Sequence, residues 1–141
     1  MAFDALGIDF GQAKAAADYS AETNQFLCVN TTAALVAKTQ ASKGAPIIGI
    51  LQNRPLSSGS CVVRLMGVSK ARVNSATHTA IVAGDKLICS SGAGVRATTG
   101  TALAQYVIGR SLEALAANTT GIITILLMPT GAGSTTAQGA A

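Results

Sequence analysis

From residue 26 onward the chain is cut into short runs rich in Val, Ile, Leu and Thr, each four to seven residues long and each stopped by Gly, Ser, Asn or Pro. Runs this short cannot hold a helix of three or four turns, but they are the length of sheet strands. The runs at 26–29, 35–38, 47–51, 61–66, 86–89, 95–98, 106–112 and 122–128 follow one another at roughly ten-residue intervals, the rhythm of a sandwich or barrel. One stretch, Leu103 to Asn118, holds enough Ala and Leu for a short helix after Ile108 as an alternative. The expectation is an all-β body.

Sliding the chain on itself shows a weak internal repeat at an offset of sixty residues. Leu27/Leu87, Ala33/Ala93, Ala37/Ala97 and Thr39/Thr99 are identical, and Ile48-Gly49 falls on Ile108-Gly109. After a two-residue insertion, Gly59 meets Gly121 and Leu65-Met66 meets Leu127-Met128. Two pseudo-repeated halves are expected, each a hairpin, a return strand, a loop and a final strand.

The ends differ from this body. Residues 1–22 lack strand alternation and hold one base against four acids, whereas the rest holds nine bases against two acids, so an acidic arm precedes a basic body. The arm is expected to be extended, with at most a helical turn. Phe3, Leu6, Ile8 and Phe10 are its apolar side chains and the candidate contacts to a partner or a neighbouring subunit. Residues 129–141 are rich in Gly, Ala, Ser and Thr and have nothing to bury, which predicts a flexible or partner-bound tail. The organisation expected is an arm over 1–22, a barrel-like body over 23–128 and a tail over 129–141.

Of the 141 residues, 27 are Ala and only 34 are Leu, Ile, Val or Phe, and 11% are charged. A core with so few large side chains and a surface so weakly solvated favour a subunit covered by neighbours. No run approaches the eighteen or so apolar residues of a membrane span, and Asp4 and Asp9 stand where a secretory signal needs positive charge, so synthesis in a cytoplasm is expected. Cys28, Cys61 and Cys89 have no C-x-x-C spacing and read as small buried hydrophobes.

Reactive groups are sparse. His78 is the single histidine, flanked by Thr77 and Thr79, and reads as a solvent-facing loop residue. A triad with Asp85 is formally possible, yet no G-x-S-x-G elbow occurs. Asp85 and Glu113 are the only acids after residue 22, and Gly84-Asp85 before a strand suits a turn whose carboxylate caps backbone N–H groups. Gly92-Ala93-Gly94 suits a hairpin turn, because no G-K-[ST] follows it. Arg54, Arg64, Lys70, Arg72, Lys86, Arg96 and Arg110 are scattered, and Tyr106 is the one aromatic residue past Phe26, so neither stacking on single strands nor direct nucleic-acid binding is supported. Catalytic residues, cofactor sites and metal sites are all expected to be absent.

Asn24-Gln25-Phe26, Ile48-Gly49-Ile50-Leu51-Gln52-Asn53-Arg54-Pro55, Gly67-Val68-Ser69-Lys70, Ala83-Gly84-Asp85 and Val107-Ile108-Gly109-Arg110-Ser111-Leu112-Glu113 occur in that order. In order and spacing, over about residues 19 to 128, they resemble the head decoration, or capsid cement, proteins of tailed bacteriophages. The resemblance implies a small β-barrel or β-tulip body. It also implies a homotrimer at three-fold or quasi-three-fold axes, bound to the major capsid protein on the outer surface of the virion, and it transfers no catalytic residue. The competing readings are a soluble carbohydrate- or protein-binding β-module, which normally shows exposed aromatics and here has no Trp, and a small hydrolase, for which no site is found.

Overall fold

The computed structural model describes residues 7–32, 34–40, 42–98 and 105–128. They form nine strands: β1 (Gly7–Ala15), β2 (Cys28–Thr31), β3 (Val36–Thr39), β4 (Gly49–Leu51), β5 (Ser60–Val73), β6 (Lys86–Cys89), β7 (Val95–Ala97), β8 (Val107–Ser111) and β9 (Gly121–Leu127). A single 3-10 turn, Glu22–Asn24, is the helical element among the described residues. The all-β expectation holds, and every expected run overlaps a strand. Residues 105–118 form β8 and turns, which removes the helical alternative there.

All nine strands belong to one sheet in the order β1-β3-β2-β4-β5-β9-β8-β6-β7, with a further pairing of β1 to β5. Because β1 pairs with β3 in parallel and with β5 antiparallel, the strands β1, β3, β2, β4 and β5 form a closed ring. From β5 the sheet runs on through β9, β8 and β6 to β7. The seam between β7 and β5 carries no ladder. Residues at the start of β2 fill it: Arg72 N–H donates to Phe26 O (3.0 Å) and Cys28 N–H to Ala93 O (2.6 Å).

The two halves repeat, and the repeat starts one strand earlier than the sequence suggests. Strand β1 pairs antiparallel with the first part of β5, and the last part of β5 pairs antiparallel with β9 in the same way. The fourteen-residue β5 therefore closes one five-strand unit and opens the next. Residues with positive φ mark the equivalence: Phe26 (66°) and Gly84 (94°), Leu35 (56°) and Ala93 (65°), Ser58 (64°) and Asn118 (57°). Backbone bonds repeat too, Leu35 N–H to Thr32 O beside Ala93 N–H to Ser90 O, and Gln52 N–H to Val62 O beside Leu112 N–H to Thr124 O. Return and final strands align as expected, Ile50 opposite Arg64 in one half and Arg110 opposite Leu126 in the other. The hairpins slip by two residues against the sixty-residue offset, so Val29 opposite Thr39 corresponds to Leu87 opposite Ala97. An even slip leaves each side chain on its own face.

Each half has its own apolar cluster. The first joins Ala13, Ala15, Tyr19, Val29, Ala37, Leu51, Cys61 and Val63, mostly small side chains. The second is richer, with Ile81, Leu87, Val95, Ile108, Ile123, Ile125 and Leu127, and it recruits Cys28, Ile50, Ala71 and Val73. The segment read as an arm is extended, and from Gly7 to Ala15 it is a strand of the sheet, with Ala13 and Ala15 in the first cluster. No strand alternation is visible there because the register shifts between Ile8 and Asp9 and between Phe10 and Ala13, and each bulge breaks the two-residue period. The tail, 129–141, lies outside the described residues.

Candidate functional site

His78 is not the solvent-facing residue its flanking threonines suggest. It is 5% exposed, and its Nδ1 and Nε2 each lie 2.6 Å from a carbonyl oxygen, of Thr79 and Thr119. Whichever tautomer is present donates to one of them. With Asn118 N–H donating to His78 O (3.2 Å), the ring ties the loop after β5 to the loop before β9. Both nitrogens thus face backbone carbonyls, and neither meets Asp85. Removing the buried ring takes away its hydrogen bond and leaves a void between the two loops, so His78→Ala is expected to lower stability by about 1.5 kcal/mol, read as a lower denaturant midpoint.

The two late acids are structural. Asp85 Oδ2 accepts from Val82 N–H (2.9 Å) within its own turn, as the Gly-Asp pattern implies. Glu113 Oε2 accepts from Thr124 N–H, and that bond, with Lys70 a smaller contributor, holds its carboxyl below the ordinary range. In the other half Asn53 Oδ1 accepts from Val62 N–H (2.9 Å) at the equivalent place. A neutral amide evidently serves there as well as a carboxylate. A carboxyl with a lowered folded pKa contributes stability above its ordinary pKa and loses it as pH falls through the lowered value. Glu113→Gln is therefore expected to match the parent at neutral pH and to flatten the acid side of a pH–stability curve. The check is a set of thermal melts between neutral and acidic pH.

The remaining candidates disperse. Cys28, Cys61 and Cys89 are buried free thiols; Cys28 is pushed well up by its hydrogen bond with Cys89 and by burial, and Cys61 by burial, which keeps Cys28 and Cys61 protonated and weakly nucleophilic. Ala93 turns a hairpin with positive φ, and the Asn74 amide donates to Gly92 O. Arg64 bonds Asp9, Lys70 bonds Thr124, Arg72 bonds the carbonyls of Gln25 and Glu22, and Arg110 bonds Gly84 O, so these cations are set by local partners. Among the described residues no three of His, Cys, Asp and Glu gather in metal-binding geometry. Open hollows include one of about 320 Å³ beside Thr31, Thr32, Lys38, Thr39 and Ser42, and one of about 450 Å³ beside Asn24, Arg72 and Asn74.

The four apolar residues singled out at the N-terminus are not one constellation. Phe3 and Leu6 lie outside the described residues. Phe10 is half-buried against the first cluster. Ile8 is 57% exposed and stands opposite Met66 of β5. Met66 is followed by Gly67, the residue that pairs with both Gly7 of β1 and Leu127 of β9. Met128 follows that Leu127, so Ile8, Met66 and Met128 form a row of apolar side chains, each more than two-fifths exposed, where three strands meet. Sequence reading missed this row because Met66 and Met128 close the apolar runs at 61–66 and 122–128, and nothing local shows that they meet across β5 beside Ile8.

No family model matches the chain, and no curated protein matches it. Among solved structures it is similar to the N base of head fiber gp8.5 of bacteriophage phi29, with a TM-score of 0.56 and 12% identity, covering 86% of this chain and 93% of that one. A likeness of that depth with so little identity shows a shared fold.

Proposed function

We propose that this chain is a non-catalytic structural protein of a bacteriophage virion. In this reading it sits on the outside of the head and cements the lattice of the major capsid protein, as a trimer at three-fold or quasi-three-fold axes. The observation that carries the reading is the fold likeness to a head-fiber base over most of both chains, reached independently of the sequence resemblance to head decoration proteins. Two structural facts support it. His78, Asp85 and Glu113 are each engaged in holding loops and strands. The first cluster is built of small side chains, which suits a subunit that gains burial from neighbours. Several modest contacts from one trimer act together through high effective concentration, which is how a small clamp can reinforce a large lattice.

The test is mass spectrometry and negative-stain imaging of purified heads, with light scattering of the isolated protein. The chain is expected in capsid-like stoichiometry on the head exterior, and as a trimer alone. Its absence from heads would remove the reading, and a stable monomer would remove the trimer from it.

A further inference from the structure

Strand β9 and the residue after it read Ile122-Ile-Thr-Ile-Leu-Leu-Met128, apolar on both parities. An antiparallel strand with one wet face alternates apolar and polar residues, whereas a run without alternation belongs to a strand covered on both sides. One parity is covered, with Ile123, Ile125 and Leu127 in the second cluster. The other faces outward at its ends, where Ile122 is 42% and Met128 43% exposed with Leu126 half-buried, while Thr124 between Ile122 and Leu126 is 6% exposed and held by Lys70.

Registered neighbours widen this outer face. Val68 of β5 and Arg110 of β8 stand opposite Leu126, and Arg72 stands opposite Ile122. Leu112, 47% exposed, donates its N–H to Thr124 O at one margin, and Met66 and Ile8 complete the other. Lys70 reaches across to the Thr124 hydroxyl (2.8 Å). Seven apolar side chains thus share a face with three cations, Lys70, Arg72 and Arg110. The nearby carboxylates, Glu113 and Asp9, are turned to Thr124 N–H and to Arg64.

We propose that the outer face of β5, β9 and β8 is a docking surface for a protein that presents an apolar centre flanked by carboxylates. Exposed apolar side chains gathered on one sheet face in this way mark interaction sites. Charge selects the occupant. A second copy laid face to face sets cations against cations, which is unfavourable, whereas an acidic partner gains both attraction and steering. The inference rests on the reading above, in which that partner is the shell lattice protein.

The experiment mixes heads prepared without this protein with the full-length chain or with Met66→Asp, Met128→Asp or Arg110→Glu. It follows bound fraction, circular dichroism and light-scattering mass together. All three positions are exposed, so the variants should keep the parent spectrum. Each is expected to bind about tenfold more weakly, and parent binding should weaken as salt is raised. If the aspartate variants lose the fold, Arg110→Glu decides alone. Folded variants that bind like the parent overturn the face, and variants that lose trimer mass assign it to a second copy instead. A parent chain that does not bind heads overturns the functional reading itself, an outcome distinct from both.

Discussion

Gly109→Ala is expected to destabilise the protein by about 3 kcal/mol, and Gly49→Ala by nearly as much. A Cβ at Gly109 would strike the carbonyl oxygen of Leu126, and one at Gly49 that of Arg64. These are equivalent places in the two halves, where the return strand lies against the final strand, and the obstacle is main chain rather than a side chain that can swing away. Relief requires parting β8 from β9, or β4 from β5, in the middle of the sheet. Urea titrations of both variants against the parent provide the measurement. A variant that unfolds at the parent midpoint would mean that the strands separate freely there, against the close approach described.

The second large effect is expected at the N-terminal strand. Arg64 is 3% exposed, and its Nε and Nη2 donate to the two carboxylate oxygens of Asp9 at 2.6 and 3.1 Å, while Nη1 donates to Val68 O. Asp9→Ala leaves a buried guanidinium without its carboxylate. Breaking fully buried pairs costs roughly 3–5 kcal/mol, and because Asp9 is partly solvated the expectation is about 2 kcal/mol. The loss should be largest where β1 joins β5, so hydrogen exchange is expected to rise first over residues 8–14. Adding Arg64→Met should recover part of the loss, since the stranded charge goes with it. Equal exchange in parent and variant would exclude a role for this pair in holding β1. For the same reason, deleting residues 2–14 is expected to unfold the first half, because it takes β1 out of the closed ring.

How far the sequence could be read depended on where the two-residue period survived. Strands β2 to β9 were legible because Val, Ile and Leu alternate or run between Gly, Ser and Asn stops. The second part of β5 was not: Gly67-Val68-Ser69-Lys70 has the composition of a turn, yet it pairs residue by residue with β9. Strand β1 was hidden by its bulges and by Gly7, Gly11 and Gln12. Its counterpart was available, since Ala13-Lys14-Ala15 matches Ala71-Arg72-Val73, fifty-eight residues on rather than sixty. The hairpin identities at sixty, such as Leu27 with Leu87, come from common residue types and do not align in space. The local duties of Asp85 and Glu113 were half visible, because a turn announces Asp85 while nothing local points Glu113 at Thr124. Burial of His78 depends on Thr119, far along the chain, and no neighbouring residue signals it.

Strand β5 belongs to both halves, and this has a mechanical consequence. Where two modules are joined by a linker, a pull on one reaches the other through side-chain contacts that can slide or peel. Here one continuous strand of fourteen residues, about 45 Å if fully extended, runs from the ring into the extension of the sheet. Load applied at one end is carried by covalent backbone and by hydrogen bonds sheared together along its length. The molecule can therefore bear tension as a single strut, and neither half can be unloaded, excised or unfolded while the other keeps its full set of strands.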